Sequence, residues 1–325
     1  MKVKDRVLEL LEQNRQESIS GEKIAESLGV SRAAVWKAIK SLEQEGHSIK
    51  AVTNKGYMLV QDSNVLSVQG IKPYLEDETY AENLHVYSSI ESTNKTAKEL
   101  AVSGCPHGTV VISDSQTAGR GRYGRKFFSP SGSGLYMSIV LRADAVPLSD
   151  VVMITSAAAG IACRVIEKCT GVKCGIKWVN DLYVQGKKVC GILTEGVTSF
   201  ETGQIDWVVV GIGINIDTKD FPEGIGHIAT SLVGERAEGT LRSRSAAGII
   251  NEFMSKEVFG DEHKIMAEYR ERQILMGQTV KVVNGSTDYE AEVLDVDDAG
   301  RLIVRKMDGQ VEKLFCGEVS VKKVN

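Results

Sequence analysis

The spacing of apolar residues changes character twice along this 325-residue chain. Helical spacing comes first; strand and helix patterns then alternate from Leu84 to Tyr269, and short strands punctuated by turns run to the end. No single pattern accommodates all three, so the chain is expected to be α+β and multidomain, as its length allows at ~150 residues per domain. The expected division is a small helical domain over 1–62, a polar linker carrying Pro73 over 63–82, a mixed α/β body over 83–272 and a small β-barrel over 273–325.

The first unit reads as a DNA-binding module. Gly21 to Leu28 forms a short helix stopped by Gly29, and a second helix runs from Val30 and Ser31 through Glu45, with Ser31 as N-cap and Gly46 just past its end. Val35, Ile39 and Leu42 recur at core spacing, while Ala33, Lys37 and Lys40 take the opposite side. Ser48–Thr53 and Tyr57–Val60 follow as two strands joined at Asn54-Lys55-Gly56, the wing of a winged helix-turn-helix. Ser31, Arg32, Ala33, Lys37 and Lys40 are the expected DNA contacts. A three-helix interaction module with merely solvated lysines is the alternative.

Charge narrows the partners. The chain carries 39 Lys+Arg against 43 Asp+Glu, a net of −4, which argues against a general polyanion coat. Residues 1–60 nevertheless carry a net charge of +2, so any nucleic-acid contact is confined there. Lys2, Lys4, Asp5, Arg6 and Glu9 leave no uncharged core for a signal peptide, and Val151–Cys163 is too short to span a bilayer, so a cytoplasmic protein without membrane contact is expected. Cys105, Cys163, Cys169, Cys174, Cys190 and Cys316 have no metal-ligand spacing and read as free thiols.

The body holds four motifs. Gly119-Arg120-Gly121-Arg122-Tyr123-Gly124-Arg125-Lys126 matches G-x-G-x-x-G in spacing, but it runs into Phe127–Gly134, a loop, instead of opening a helix. It reads instead as an anion loop in which glycines admit close approach and arginines offer forked donors; a basic surface turn is the alternative. Lys177-Trp178-Val179-Asn180-Asp181 is a polar turn whose side chains face a phosphate, base or metal, or merely serve local hydrogen bonds. Gly186 to Leu193 delivers Lys188 to the start of a buried strand, as an anion ligand or an ordinary edge lysine. Gly211-Ile212-Gly213-Ile214-Asn215 marks close approach to a strand by a ligand or partner, although Asn215 also suits a strand end.

Together with Ser92-Thr93-Asn94 and Gln116, these motifs occur in the order found in biotin protein ligases, and with the amino-terminal module the chain resembles the bifunctional bacterial form, ligase and biotin-operon repressor in one polypeptide. The resemblance covers essentially the whole chain and implies a biotin/lipoate-type ligase domain followed by an SH3-like barrel. It also implies a reaction: biotin and Mg-ATP give biotinyl-5′-AMP, and a lysine of the biotin carboxyl carrier protein then displaces AMP. By resemblance Ser92, Thr93, Asn94, Gln116, Arg120, Gly121, Arg122 and Lys188 bind biotin, and Arg120, Arg122, Arg125, Lys177, Asn180 and Asn215 hold ATP or the adenylate. Arg122, Lys188 and Asp181 are the implied catalytic residues, with Asp181 also the candidate Mg²⁺ ligand. Ser92 doubles as the expected N-cap of the next helix.

One departure is Val179, where many relatives have Pro; it bears on the stiffness of the turn more than on chemistry. The family further implies that the adenylate is a corepressor that promotes a homodimer on operator DNA. Two other functions remain open at this point: a ligand-sensing repressor without catalysis, and a lipoate or octanoate ligase. The complete arginine loop with Lys188 and Asp181 favours catalysis, and the fused DNA reader favours biotin.

Overall fold

A computed structural model describes residues 2–146, 151–198, 201–234, 237–255, 259–284, 287–315 and 317–321. Helices α1 (Val3–Gln13), α2 (Gly21–Leu28) and α3 (Arg32–Gln44) pack through Val7, Leu11, Ile24, Val35, Ile39 and Leu42. Gly29 ends α2 in the left-handed conformation (φ 63°), and the Ser31 hydroxyl accepts from the Ala34 amide at 3.2 Å, the expected cap of α3. Strands β1 (Ile49–Val52) and β2 (Gly56–Leu59) form the wing. Ile19 pairs with Tyr57 beside it; Gly56, at φ 106°, lies so close to the Ile19 carbonyl that no Cβ fits.

The segment read as a linker is built against the body. It forms helix α4 (Val68–Ile71) and two 3₁₀ turns, and buries Leu66, Ile71 and Leu75 in the same core as the central sheet. Val68, Tyr74, Tyr80 and Ala81 pack against that core while only partly buried, so the segment's polar composition hid its attachment. Asn64, Arg242 and Asp114 meet at its start: the wholly buried Arg242 donates to Gly134 O (2.7 Å), Asn64 O (3.1 Å) and Asp114 Oδ1 (2.6 Å).

The body is a seven-stranded sheet made of β3 (Leu84–Tyr87), β4 (Thr109–Ser113), β5 (Gly134–Arg142), β6 (Gly175–Lys177), β7 (Asp181–Val184), β8 (Lys187–Thr198) and β9 (Ile205–Asn215). The order is β3-β4-β5-β9-β8-β7-β6, with β3 and β4 parallel and the remaining pairs antiparallel. Alternation sorts its two faces. Leu135, Met137, Ile139 and Leu141 of β5 join Val208, Val210, Ile212 and Ile214 of β9 under α6 (Val151–Thr170) and α7 (Leu241–Met254). On the other face Val111, Val140 and Val209 meet Ala97 and Ala101 of α5 (Thr93–Val102). Helix α8 (Glu262–Glu271) packs on α6.

The last unit has strands β10 (Thr279–Asn284), β11 (Thr287–Val296), β12 (Leu302–Lys306), β13 (Val311–Leu314) and β14 (Glu318–Val321). They make an antiparallel sheet in the order β13-β12-β11-β10-β14, the last strand returning beside the first as in an SH3-like unit. Cys316, Gly285 and residues 322–325 of the expected barrel lie outside the described residues. Cys105, Cys163, Cys169, Cys174 and Cys190 are free thiols. Among the described residues no helix is long and apolar enough to cross a membrane.

Candidate active site

On the α5 face two adjacent strands, β8 and β9, contribute a strip of glycines, Gly191, Gly211 and Gly213. Gly191 of β8 faces Gly213 of β9, Leu193 faces Gly211, and Ser138 of β5 faces Gly211 from the other side. The close approach expected at Gly211 and Gly213 is made by the chain itself. A Cβ on Gly211 would overlap Asn94 Oδ1, and one on Gly213 would come within 2.7 Å of the Phe127 ring. The same ring lies over Gly191 and meets Tyr136 edge-on at 6.3 Å. Phe127 was not among the expected site residues. It sits immediately after the arginine loop, and that adjacency was its only signal.

Ser92, Thr93 and Asn94 start α5 and are buried. Ser92 occupies the N-cap position, but its hydroxyl makes no capping bond, contrary to expectation. Gln116 caps in its place: its Oε1 accepts from the Thr93 amide (2.8 Å) and hydroxyl (3.2 Å), while its Nε2 donates to Ser129 Oγ (2.9 Å). The Asn94 amide is fastened on both sides. Its Oδ1 accepts from Ser138 Oγ (2.7 Å), and its Nδ2 donates to Leu193 O (3.1 Å) and Glu195 Oε2 (2.8 Å). Lys98 reaches the other Glu195 oxygen at 2.7 Å. Burial pushes the Glu195 carboxyl up, but bonds from Lys98 and Asn94 outweigh it and hold the group below the usual carboxylate range. Glu195 also escaped the sequence reading, although period-two counting from Gly191 puts it on this face.

The arginine loop folds on itself. Phe127 N donates to Gly119 O (2.9 Å), Gly121 N to Arg125 O (2.8 Å), and the tip turns at Tyr123 (φ 56°) and Gly124 (φ 72°). Gly119 has no room for a Cβ against Phe127 O and Ser129 Oγ. Arg122 points inward, stacking 5.0 Å from the Tyr123 ring centre and donating to Asn180 Oδ1 at 3.3 Å. Arg120 turns outward to Glu91 (3.4 Å), and Arg125 is exposed.

Asn180 is held by the neighbouring strand: its Nδ2 donates to Ile192 O (2.6 Å) and its own carbonyl accepts from Ile192 N (2.9 Å). The preceding Trp178–Val179 peptide is cis. Trp178 Nε1 donates to Gly300 O of the last unit (2.9 Å), and the buried Tyr269 hydroxyl to Val179 O (2.7 Å). Strands β7 and β8 form a hairpin through Gln185 and Gly186, which brings Lys188 Nζ to 2.6 Å from Asp181 Oδ1. That contact is an ion pair whose angle falls outside hydrogen-bond geometry. Lys177 lies 5.4 Å from the Tyr183 ring centre. Asn215 turns its amide to Thr230 O (3.2 Å), tying down the following loop, and its buried Oδ1 has no donor.

Arg122 and Lys188 therefore converge on consecutive residues, Asn180 and Asp181, at the edge of the glycine strip. Such paired cations beside the buried polar side chains of Ser92, Thr93 and Asn94 suit an anionic group attached to a neutral one.

The DNA-facing candidates lie far along the chain from this site. Arg32, Ala33, Lys37 and Lys40 are exposed on α3, opposite buried Val35, Ala38, Ile39 and Leu42. Lys40 is paired with Glu43 at 2.6 Å; Arg32 and Lys37 have no ion pair among the described residues. Behind α3, burial drives His47 down to about 4, with Arg15 and Lys4 acting in the same direction against Glu45.

Residues 86–215 match the biotin/lipoate A/B protein ligase family, and residues 4–58 match a helix-turn-helix domain family. The chain is 36% identical over 322 residues to the bifunctional ligase/repressor BirA of Bacillus subtilis (strain 168), covering 97% of each chain. It is 31% identical to the protein of the same name from Escherichia coli (strain K12), covering 93% of this chain and 92% of the other. Among solved structures, biotin protein ligase from Aquifex aeolicus in complex with biotin and ATP superposes with a TM-score of 0.59 at 26% identity, covering 75% of this chain and 100% of that one.

Proposed function

The chain belongs to the bifunctional ligase/repressor family, and on that premise we propose that it activates biotin with ATP, transfers it to a lysine of the biotin carboxyl carrier protein, and represses biotin genes. The observation that carries the ligase reading is the convergence of Arg122 and Lys188 on Asn180 and Asp181. In the first step a biotin carboxylate oxygen attacks the α-phosphorus of ATP and pyrophosphate leaves. In the second a lysine amine attacks the acyl carbon, loses its proton, and AMP leaves.

Thr93 and Gln116, joined by two hydrogen bonds, offer a fixed set of donors and acceptors for the ureido ring, with Ser92 beside them. Asn94 acts mainly by holding α5 to the sheet, since its amide hydrogens are already donated to Leu193 and Glu195. The acyl chain lies beside the Phe127 ring, which itself covers Gly191 and Gly213. Arg122 and Lys188 neutralise charge on the carboxylate and α-phosphoryl oxygens, which accelerates the step to the extent that their attraction grows in the transition state. Arg120, Gly121 and Arg125 belong to the same loop and come to the phosphates only if it closes; Lys177, Asn180 and Asn215 line the nucleotide side.

A magnesium ion bound with ATP would supply charge neutralisation at the phosphates. Among the described residues no three His, Cys, Asp or Glu side chains gather into a metal-holding group. Asp181, whose Oδ1 is ion-paired with Lys188, would be the carboxylate to hold the ion. The adenylate acts as corepressor, promoting a homodimer whose two α3 helices meet half-sites of operator DNA. The protein works in the cytoplasm, where ATP, acceptor and DNA are together.

The test is transfer to a purified biotin carboxyl carrier domain, detected with streptavidin, alongside operator binding with and without biotin and ATP. Biotin on the acceptor lysine and ligand-dependent DNA binding are expected. An unmodified acceptor would contradict the ligase reading, and ligand-independent DNA binding the corepressor reading.

A further inference from the structure

Trp36 stands on the exposed face of α3 and is 54% exposed. The other two tryptophans differ: Trp178 is buried and Trp207 partly so. At 3.6 residues per turn, Ala33, Trp36, Lys37 and Lys40 fall within an arc of about 100°. The opposite arc is spent on Val35, Ala38, Ile39 and Leu42, so the indole has no route into the core of its own domain. A large apolar ring kept in water beside Arg32 and Lys37, in a domain whose wing exposes Lys50 and Lys55, calls for an occupant that is apolar at one point and anionic around it. The major groove of duplex DNA has that character wherever thymine presents its 5-methyl group between two phosphate backbones.

We propose that Trp36 is a specificity-determining residue, packing its indole on thymine 5-methyl groups while Arg32 and Lys37 neutralise the flanking phosphates. This rests on the repressor reading above and extends it from affinity to sequence. Ala33, the small residue one turn earlier on the same face, lets the helix sit close enough for the ring to reach base edges. The polar cap and the lysines alone would fix the register of the helix without selecting a base.

The experiment uses the full-length protein with biotin and Mg-ATP. Duplexes enriched from a randomised pool are amplified once with thymine and once with uracil, which differs only by the missing methyl. The wild-type protein is expected to bind the uracil pool about tenfold more weakly at fixed salt. Trp36→Ala should bind both pools alike, with its salt dependence kept, and Trp36→Phe should retain part of the preference. Thermal melting of both variants checks that the domain is folded. Equal binding of both pools by the wild type, with tight binding to the enriched thymine pool, overturns the role of Trp36 and leaves the repressor reading standing. A preference for thymine that persists in Trp36→Ala overturns it as well. If no duplex is enriched, the repressor reading fails and this inference with it.

Discussion

Lys188 Nζ lies 2.6 Å from Asp181 Oδ1, across the two arms of one hairpin. The carboxylate can aim the ammonium at the reacting oxygens, or it can hold magnesium. Lys188→Ala should lower the rate of adenylate formation by about 10²–10³, with a smaller change in KM for biotin. If Asp181 acts through the lysine, Asp181→Asn together with Lys188→Ala is no slower than Lys188→Ala alone; additive losses would assign the carboxylate an independent role. Single-turnover rates of the three variants decide between them.

Gly211→Ala puts a methyl group where Asn94 Oδ1 sits. Glycine needs no unusual backbone there, so the effect isolates the clash. Asn94 must move off Ser138 and Glu195, and the start of α5 moves with it. Biotin affinity is expected to fall at least tenfold and stability by about 1–3 kcal/mol. Calorimetric titration and urea unfolding measure both, and wild-type values in either would place the contact outside the binding site.

Arg242 closes a circuit that begins and ends the loop carrying Gln116 and the arginines, through Asp114 before it and Gly134 after it, and reaches Asn64 beyond the wing. Arg242→Leu removes the charged partner of the Asp114 carboxylate, which keeps only Ser131 and the Gly132 amide, and a donor from two carbonyls. A loss of about 3–5 kcal/mol in urea unfolding is expected. Arg242→Lys, which restores a charge but not the fork, should recover only part of it.

The pH dependence has a definite sign. His47 titrates near 4 in the folded chain and near 6.5 when unfolded. Between those values the unfolded state binds more protons, so stability falls as pH drops from about 6.5 and levels off below about 4. The full effect is about 3 kcal/mol, since His47 is almost wholly buried. The difference in unfolding free energy between wild type and His47→Gln, followed across this window, should carry that slope. A flat difference would mean the histidine is charged in the fold.

What was legible in the sequence was local. Ser31 caps α3 from within the same turn, and the wing is a hairpin, so both follow from neighbours. The motifs around Gly119, Lys177, Lys188 and Gly211 were likewise visible, because glycines and cations at fixed spacing are uncommon. What stayed hidden depends on chain segments meeting across the fold. Gln116, 23 residues beyond Thr93, supplies the cap expected of Ser92. Glu195 fixes Asn94 from 101 residues away, and Arg242 finds Asp114 across 128. Trp178 is tied to Gly300, so the last unit braces the turn that holds Asn180. Such pairings are set by the sheet order, which short-range periodicity does not encode.

Formation of biotinyl-5′-AMP from biotin and ATP is reversible, and ATP–pyrophosphate exchange reads it without the acceptor protein. Label from pyrophosphate should enter ATP when biotin is present, and should stay out with lipoate or with no acid. Exchange supported by lipoate alone would contradict the substrate, and no exchange with any acid would contradict the reaction.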